Sequence, residues 1–147
     1  MIQTHARGRG FTFLEIMMVV VIIGILAGLV APRLARRAQG AKVTAARAEI
    51  DTIHGAIAQF EMHMGEYPDH SDGLRALVQR PPNDDTKSWQ GPYLEKGVPK
   101  DPWKQNYQYR YPGEHNTEGF DLSSNGPDKQ PGTADDIVNW TVEAESR

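Results

Sequence analysis

Apolar and polar residues fall into three regimes along this chain. From Phe11 to Ala31 the segment FTFLEIMMVVVIIGILAGLVA is apolar almost throughout, and about 21 residues of helix at 1.5 Å each cross a hydrocarbon core. From Val43 onward the pattern becomes periodic: Val43, Ala46, Ile50, Ile53, Ile57, Phe60 and Met64 recur at alternating spacings of three and four, with Arg47, Glu49, Asp51 and Glu61 off that stripe. Such a stripe predicts an amphipathic helix with one face against a core or a partner helix. It is formally heptad, but it is short and includes Ala46, so packing on a small sheet suits it better than a coiled coil. Pro32 stands between the two regimes, where it removes a backbone donor and crowds the carbonyl of Gly28, making Gly24 to Pro32 the place for a kink or local melting. Gly65 ends the periodic segment and Pro68 prevents its resumption.

Beyond Pro68 the elements are short and heavily punctuated. Ser71 is a fitting N-cap for a helix from Asp72 to Gln79, with Leu74, Leu77 and Val78 on one side and Pro81-Pro82 closing it. Asn83 to Ser88 reads as a loop, followed by turns with buried aromatics at Trp89, Gly91-Pro92-Tyr93-Leu94 and Asp101-Pro102-Trp103. Tyr107-Gln108-Tyr109-Arg110-Tyr111 alternates with period two and predicts a strand, turned by Pro112-Gly113 and answered by Phe120-Asp121-Leu122-Ser123. The aromatics suit a small domain's core better than a sugar-binding platform.

Composition narrows the class. The chain has 147 residues, no cysteine and a formal net charge of −3, and with the first segment spent in a membrane about 115 residues remain for one modest core. No disulfide can staple it. The acidic balance and the lack of a basic stripe interleaved with aromatics argue against nucleic acid. The histidines His5, His54, His63, His70 and His115 form no metal-ligand spacing, and no Ser lies in a G-x-S-x-G context, so catalysis is the weakest reading of the chain.

Glu15 is the misfit in the apolar run. A carboxylate there costs on the order of 2.5–3.5 kcal/mol on insertion scales, which makes it a functional candidate in need of a partner, or else a group at the interface snorkelling to the headgroups. A secretory signal does not account for it, because the run is too long and Leu29-Val30-Ala31-Pro32 lacks an A-x-A-like site. Charge count is also at odds with export of the second half: Arg7 and Arg9 precede the run, while Arg33, Arg36, Arg37, Lys42 and Arg47 follow it, against the positive-inside tendency. Those later cations suit a solvated helix face or acidic surfaces of neighbouring subunits.

Gly10-Phe11-Thr12-Phe13-Leu14-Glu15 followed by an apolar helix resembles the class III signal of type IV pilins and of the pseudopilins of type II secretion. Phe13 departs from the aliphatic residue more usual there. The resemblance implies a cytoplasmic leader, residues 1–10, cleaved after Gly10 by a prepilin peptidase; N-methylation of Phe11; and pairing of Glu15 with the Phe11 ammonium of a neighbouring subunit. Loss of Arg7 and Arg9 with the leader would take the net charge to −5 (−3 less 2). Residues 11–32 would be the membrane and assembly half of the helix, with Pro32 the kink, and 33–147 the periplasmic domain. Gly65-Glu66-Tyr67-Pro68, Gly73-Leu74-Arg75-Ala76-Leu77, Gly91-Pro92-Tyr93-Leu94, Asp101-Pro102-Trp103 and Phe120-Asp121-Leu122 are similar to the major pseudopilins in particular, from Gly10 to Trp140. Lys104 departs from the glycine common after Asp-Pro-Trp.

That family implies an α+β, pilin-like fold: a long N-terminal helix, transmembrane then amphipathic, on a small antiparallel sheet. It implies an inner-membrane subunit that polymerises into a periplasmic pseudopilus and drives folded proteins across the outer membrane. Partners would be further copies, minor pseudopilins, the inner-membrane assembly platform and, indirectly, the outer-membrane secretin. A type IV pilus or competence pseudopilin is the near alternative, and a membrane-tethered calcium-dependent binding or hydrolytic module the distant one.

The last candidate chemistry lies in Ser124 to Asp136. Taken alone, three carboxylates in a Gly/Pro-rich loop without an EF-hand pattern suit a solvated acidic turn or a hard divalent cation. The resemblance implies Ca²⁺, with Asp128, Asp135 and Asp136 as side-chain ligands and the backbone carbonyl of Asn125 as a further one. Asn125 stands where the family often has Leu, and Lys129 and Gln130 replace smaller residues.

Overall fold

The computed structural model describes residues 10–82, 84 and 87–141, and those residues form two compact units that divide between Ala38 and Gln39. The expected leader, residues 1–9 in particular, lies outside the described residues.

A single helix, α1, runs from Phe13 to Met64. Helical structure is continuous through Gly24, Gly28 and Pro32, so the proline expected to mark a kink does not end the helix. One missing donor costs about 3 kcal/mol or more, a local penalty that a ladder this long absorbs. In the first unit the side chains described from Phe13 to Ala31 are all exposed, and α1 is long and apolar enough to cross a membrane. An apolar helix exposed along this length needs lipid or other helices to cover it.

The second unit has its own core. Ala46, Ile50, Ile53, Ala56, Ile57 and Phe60 of α1 are buried, with Val43 and Met64 half-buried at its edges. The expected stripe is therefore the core face, to which Ala56 adds a small residue. Gly65 at φ 81° closes the helix, its amide donating to the Glu61 carbonyl at 2.7 Å, as a left-handed C-terminal glycine does.

Against this face lie a 3₁₀ turn, Gly73–Leu77, and a three-stranded antiparallel sheet in the order β1 (Gln108–Arg110), β2 (Asp121–Ser124), β3 (Ile137–Val138). Register pairs Tyr109 with Leu122 and Ser124 with Ile137. Leu74, Leu77, Trp103, Tyr107, Phe120, Leu122 and Ile137 complete the core, and Tyr109 and Tyr67 ring Phe120 at centroid distances of 5.7 and 5.3 Å. The aromatics are packing groups, as expected in a small domain with few other large side chains.

Three local expectations are corrected. The segment expected as a helix over Asp72–Gln79 is only the 3₁₀ turn, capped by Asp72 without a side-chain bond. Ser71 does not cap it; its amide instead donates to Asp69 Oδ1 at 2.7 Å, an Asx turn that competes with the helical start. The β1–β2 connection is not a tight Pro112-Gly113 turn. Asp121 organises it, accepting the amides of Glu114, His115 and Asn116 at 2.7, 2.9 and 2.9 Å. Strand β3 was not expected from the sequence, because two residues carry no readable period; Asn139 prolongs it by exchanging bonds with the Leu122 backbone at 2.8 and 3.0 Å.

Candidate functional site

At the N-terminal junction, Gly10 to Thr12 precede the helix and are exposed. Thr12 caps α1: its hydroxyl accepts the Glu15 amide at 3.2 Å and its carbonyl accepts the Ile16 amide at 3.2 Å. Thr12-Phe13-Leu14-Glu15 is thus the start of a capping box, a T-x-x-E signal that the sequence carried and that the resemblance obscured. The cap has a consequence for Glu15. It fixes that carboxylate in the first turn, at the positive end of the helix dipole, where a negative charge is favoured. Phe11 and Phe13 remain 78% and 82% exposed. Nothing lies within 4 Å of where a Cβ on Gly10 would be, so no contact among the described residues demands glycine there.

At the other end, the acidic loop is tied to the core before it begins. Ser124 donates to the buried Asp101 carboxylate at 2.6 Å and accepts the Gly126 amide at 3.3 Å, while Asp101 also accepts the amides of Trp103 and Gln105 at 3.0 and 2.7 Å. The Asp101-Pro102-Trp103 block therefore braces the loop's entry. Gly126 takes φ 63°, and a Cβ on it would collide with the Asp135 carbonyl oxygen and lie 3.2 Å from Asp135 Oδ2. Only glycine lets the two ends of the loop approach this closely.

Within the loop the structure brings Asp135 and Asp136 together. The Thr133 hydroxyl lies 2.7 Å from Asp135 Oδ1 and 3.3 Å from Asp136 Oδ1, and 3.2 Å from the Gln130 carbonyl. One hydroxyl proton cannot serve three acceptors. Asp128 joins through its backbone, its amide donating to Asp135 Oδ2 at 3.2 Å, while its own Oδ1 accepts the Gln130 amide at 2.9 Å; Gly132 donates to Asp136 Oδ2 at 2.7 Å. The Thr133 bond, outweighing the cost of desolvation, holds the Asp135 carboxyl below its ordinary value, so it is ionised at neutral pH.

The donor set is hard oxygen throughout, which fits calcium chemistry. As drawn together here, however, no three carboxylate or imidazole side chains among the described residues stand at metal-holding spacing. Asn125 is buried at the loop's start. Sequence reasoning missed Thr133 and Gly126; both were visible in the run Asn125-Gly126-Pro127 and Thr133-Ala134-Asp135-Asp136, but a hydroxyl and a glycine carry no charge to draw attention.

A capped apolar helix that continues into a core-packed amphipathic half, carrying a small antiparallel sheet, defines the class of pilin-like filament subunits. The family described as "Type II secretion system (T2SS), protein G" matches residues 33–140, and the prokaryotic N-terminal methylation motif matches residues 6–31. The type II secretion system core protein G of Pseudomonas aeruginosa is 45% identical over 136 residues, covering 89% of this chain and 94% of that protein. That of Pectobacterium carotovorum is 38% identical over 142 residues, with 96% and 90% covered. The crystal structure of the major pseudopilin from the type 2 secretion system of enterohaemorrhagic Escherichia coli superposes with a TM-score of 0.63 at 30% identity, covering 76% of this chain and 96% of that one. The chain belongs to the type II secretion protein G family and is a structural subunit of a pseudopilus. Its relatives belong to the secretion machine, which favours that assignment over a type IV pilus or a tethered hydrolytic module.

Proposed function

We propose that the chain enters the bacterial inner membrane with residues 1–10 in the cytoplasm and 33–147 in the periplasm, is cut by a prepilin peptidase between Gly10 and Phe11, and is methylated on the new Phe11 amine. The observation that carries this reading is the junction itself: an exposed Gly10-Phe11 bond in non-helical backbone, directly before a capped helix whose apolar run holds one carboxylate, Glu15. A glycine with open space around it is suited to a demand from outside the subunit, such as the close fit of a peptidase.

Cleavage would create a cation at Phe11 where none existed. In a bundle of apolar helices an unpaired Glu15 is costly, and pairing with the Phe11 ammonium of an adjacent copy offsets that cost. Assembly thereby depends on processing. The assembly platform, the minor pseudopilins and, through the filament, the outer-membrane secretin are the further partners, and the growing filament drives folded proteins across the outer membrane. The region from Gly24 to Pro32 is the proposed site of stretching as the subunit leaves the bilayer.

Asp128, Asp135, Asp136 and the Asn125 carbonyl would hold Ca²⁺, which supplies the positive charge that the converging carboxylates lack. The role of the ion is structural, replacing a disulfide in a chain without cysteine. Mass spectrometry of the mature N-terminus tests the processing step: a methylated Phe11 is expected, and an intact leader in membrane-inserted protein contradicts it.

A further inference from the structure

Arg33, Arg36 and Arg37 have no assigned role and occupy an awkward place. They follow the apolar run directly, on the side where basic residues disfavour export. Their spacing, i, i+3 and i+4, puts them on one face of α1. All three are exposed, and none makes an ion pair among the described residues. Arginines so placed are drawn to an anion that the described residues do not provide.

Position along the helix identifies the anion. Ala31 is the last residue of the apolar run, so at 1.5 Å per residue Arg33 to Arg37 rise about 3 to 9 Å beyond it. The headgroup layer on one side of a bilayer is roughly 5 to 7 Å deep. Arg33 rises only about 3 Å beyond Ala31, and Arg36 and Arg37, at about 7.5 and 9 Å, lean back toward the apolar run because helical side chains point toward the N-terminus; the three guanidinium groups thus reach the depth of lipid phosphates, which they match in geometry and charge. Lys42 and Arg47 begin eleven residues past Ala31, in the second unit.

We propose that Arg33, Arg36 and Arg37 form a binding face for anionic lipid headgroups at the exit side of the membrane. This rests on the membrane orientation proposed above. The contact sets the depth of the waiting subunit and offsets the adverse charge distribution, and it has to be released when the subunit is extracted into the filament. Acidic surfaces of a second copy are the competing partner. The charge is concentrated where the apolar segment ends, and that continuity with the membrane span favours the lipid.

The test reconstitutes the full chain in vesicles of phosphatidylcholine with 30% phosphatidylglycerol, confirms insertion by flotation, and measures the lipids retained on limited detergent extraction. Phosphatidylglycerol should be enriched about twofold over its bulk share, and less so at high salt. Arg33→Gln/Arg36→Gln/Arg37→Gln should return the retained lipid to the bulk ratio. The triple Lys variant should keep most of the enrichment, and Lys42→Gln/Arg47→Gln all of it. Enrichment that survives the triple Gln change overturns the proposal, as does a triple Gln chain that keeps its lipids but loses cross-linking to other copies. A wild-type chain that fails to float with the vesicles overturns the membrane reading itself.

Discussion

Lys104 and Lys129 both hold left-handed backbone, with φ of 69° and 62°, and both stand where the family resemblance expects smaller residues. The departure is thus a cost located in two turns. Left-handed conformation costs a non-glycine residue about 1–2 kcal/mol, and the added freedom of an unfolded glycine takes back about 0.4–1 kcal/mol. Lys104→Gly should therefore stabilise the domain by about 0.5–1 kcal/mol, read as a higher urea midpoint; the turn it occupies, with its amide on the Asp101 carbonyl at 2.8 Å, needs no side chain. Asp121 makes the opposite kind of contribution. Burial opposes its ionisation, yet the amides of His115, Asn116 and Glu114 outweigh that and hold its carboxyl below the ordinary value. A depressed folded value gives stability that is fully present above the unfolded carboxylate value, about 4, and is lost as pH falls through the lower folded one. Asp121→Asn should reduce stability at pH 7 and flatten the acid limb of the stability curve below pH ~4, measured by urea titration across pH. The two lysines stood out in the sequence as departures, but the role of Asp121 was not legible there, because a loop closed by one carboxylate looks in sequence like a proline-glycine turn.

At the scale of elements, legibility followed length. Seven stripe positions of α1 from Val43 to Met64 repeat often enough to define a face, and that face is the core. The 3₁₀ turn failed as a helix because Asp69 captured the Ser71 amide, and β3 escaped notice because its two residues depend on pairing with Ser123 and Ser124, which lie far away in sequence. The acidic loop was legible as a carboxylate cluster but not as an architecture: Asp101 and Ser124 brace its entry, Gly126 admits Asp135, and Thr133 draws Asp135 to Asp136. The proposed calcium site makes a prediction at this scale. An ion bound only to the folded state stabilises it by about 2.7 kcal/mol at a hundredfold excess over Kd, which for a domain of this size raises Tm on the order of 10 °C. Chelation should remove that increment from the wild-type domain and leave Asp128→Ala unchanged. Equal melting curves with calcium and with chelator would rule the site out.

For the whole molecule, one sequence serves two environments in turn. The first unit exposes an apolar helix that only lipid or other helices cover, while the second has a core of its own. The fold of the second unit sets the family, and in the proposed function the junction at Gly10 to Glu15 would set when the first changes surroundings. Thr12 adds a detail to that junction by fixing Glu15 in the first helical turn, four residues from the amine that cleavage would expose. If that pairing drives assembly, processing and polymerisation are separable by one side chain. The direct measurement is the yield of Glu15→Ala subunit in sheared filaments, relative to the processed, membrane-bound pool identified by its mass. The account predicts full cleavage at Gly10, methylated Phe11 and a loss of filament by tenfold or more, on the order of the cost of one unpaired intramembrane charge. Filaments at wild-type yield from the processed Glu15→Ala chain would contradict it.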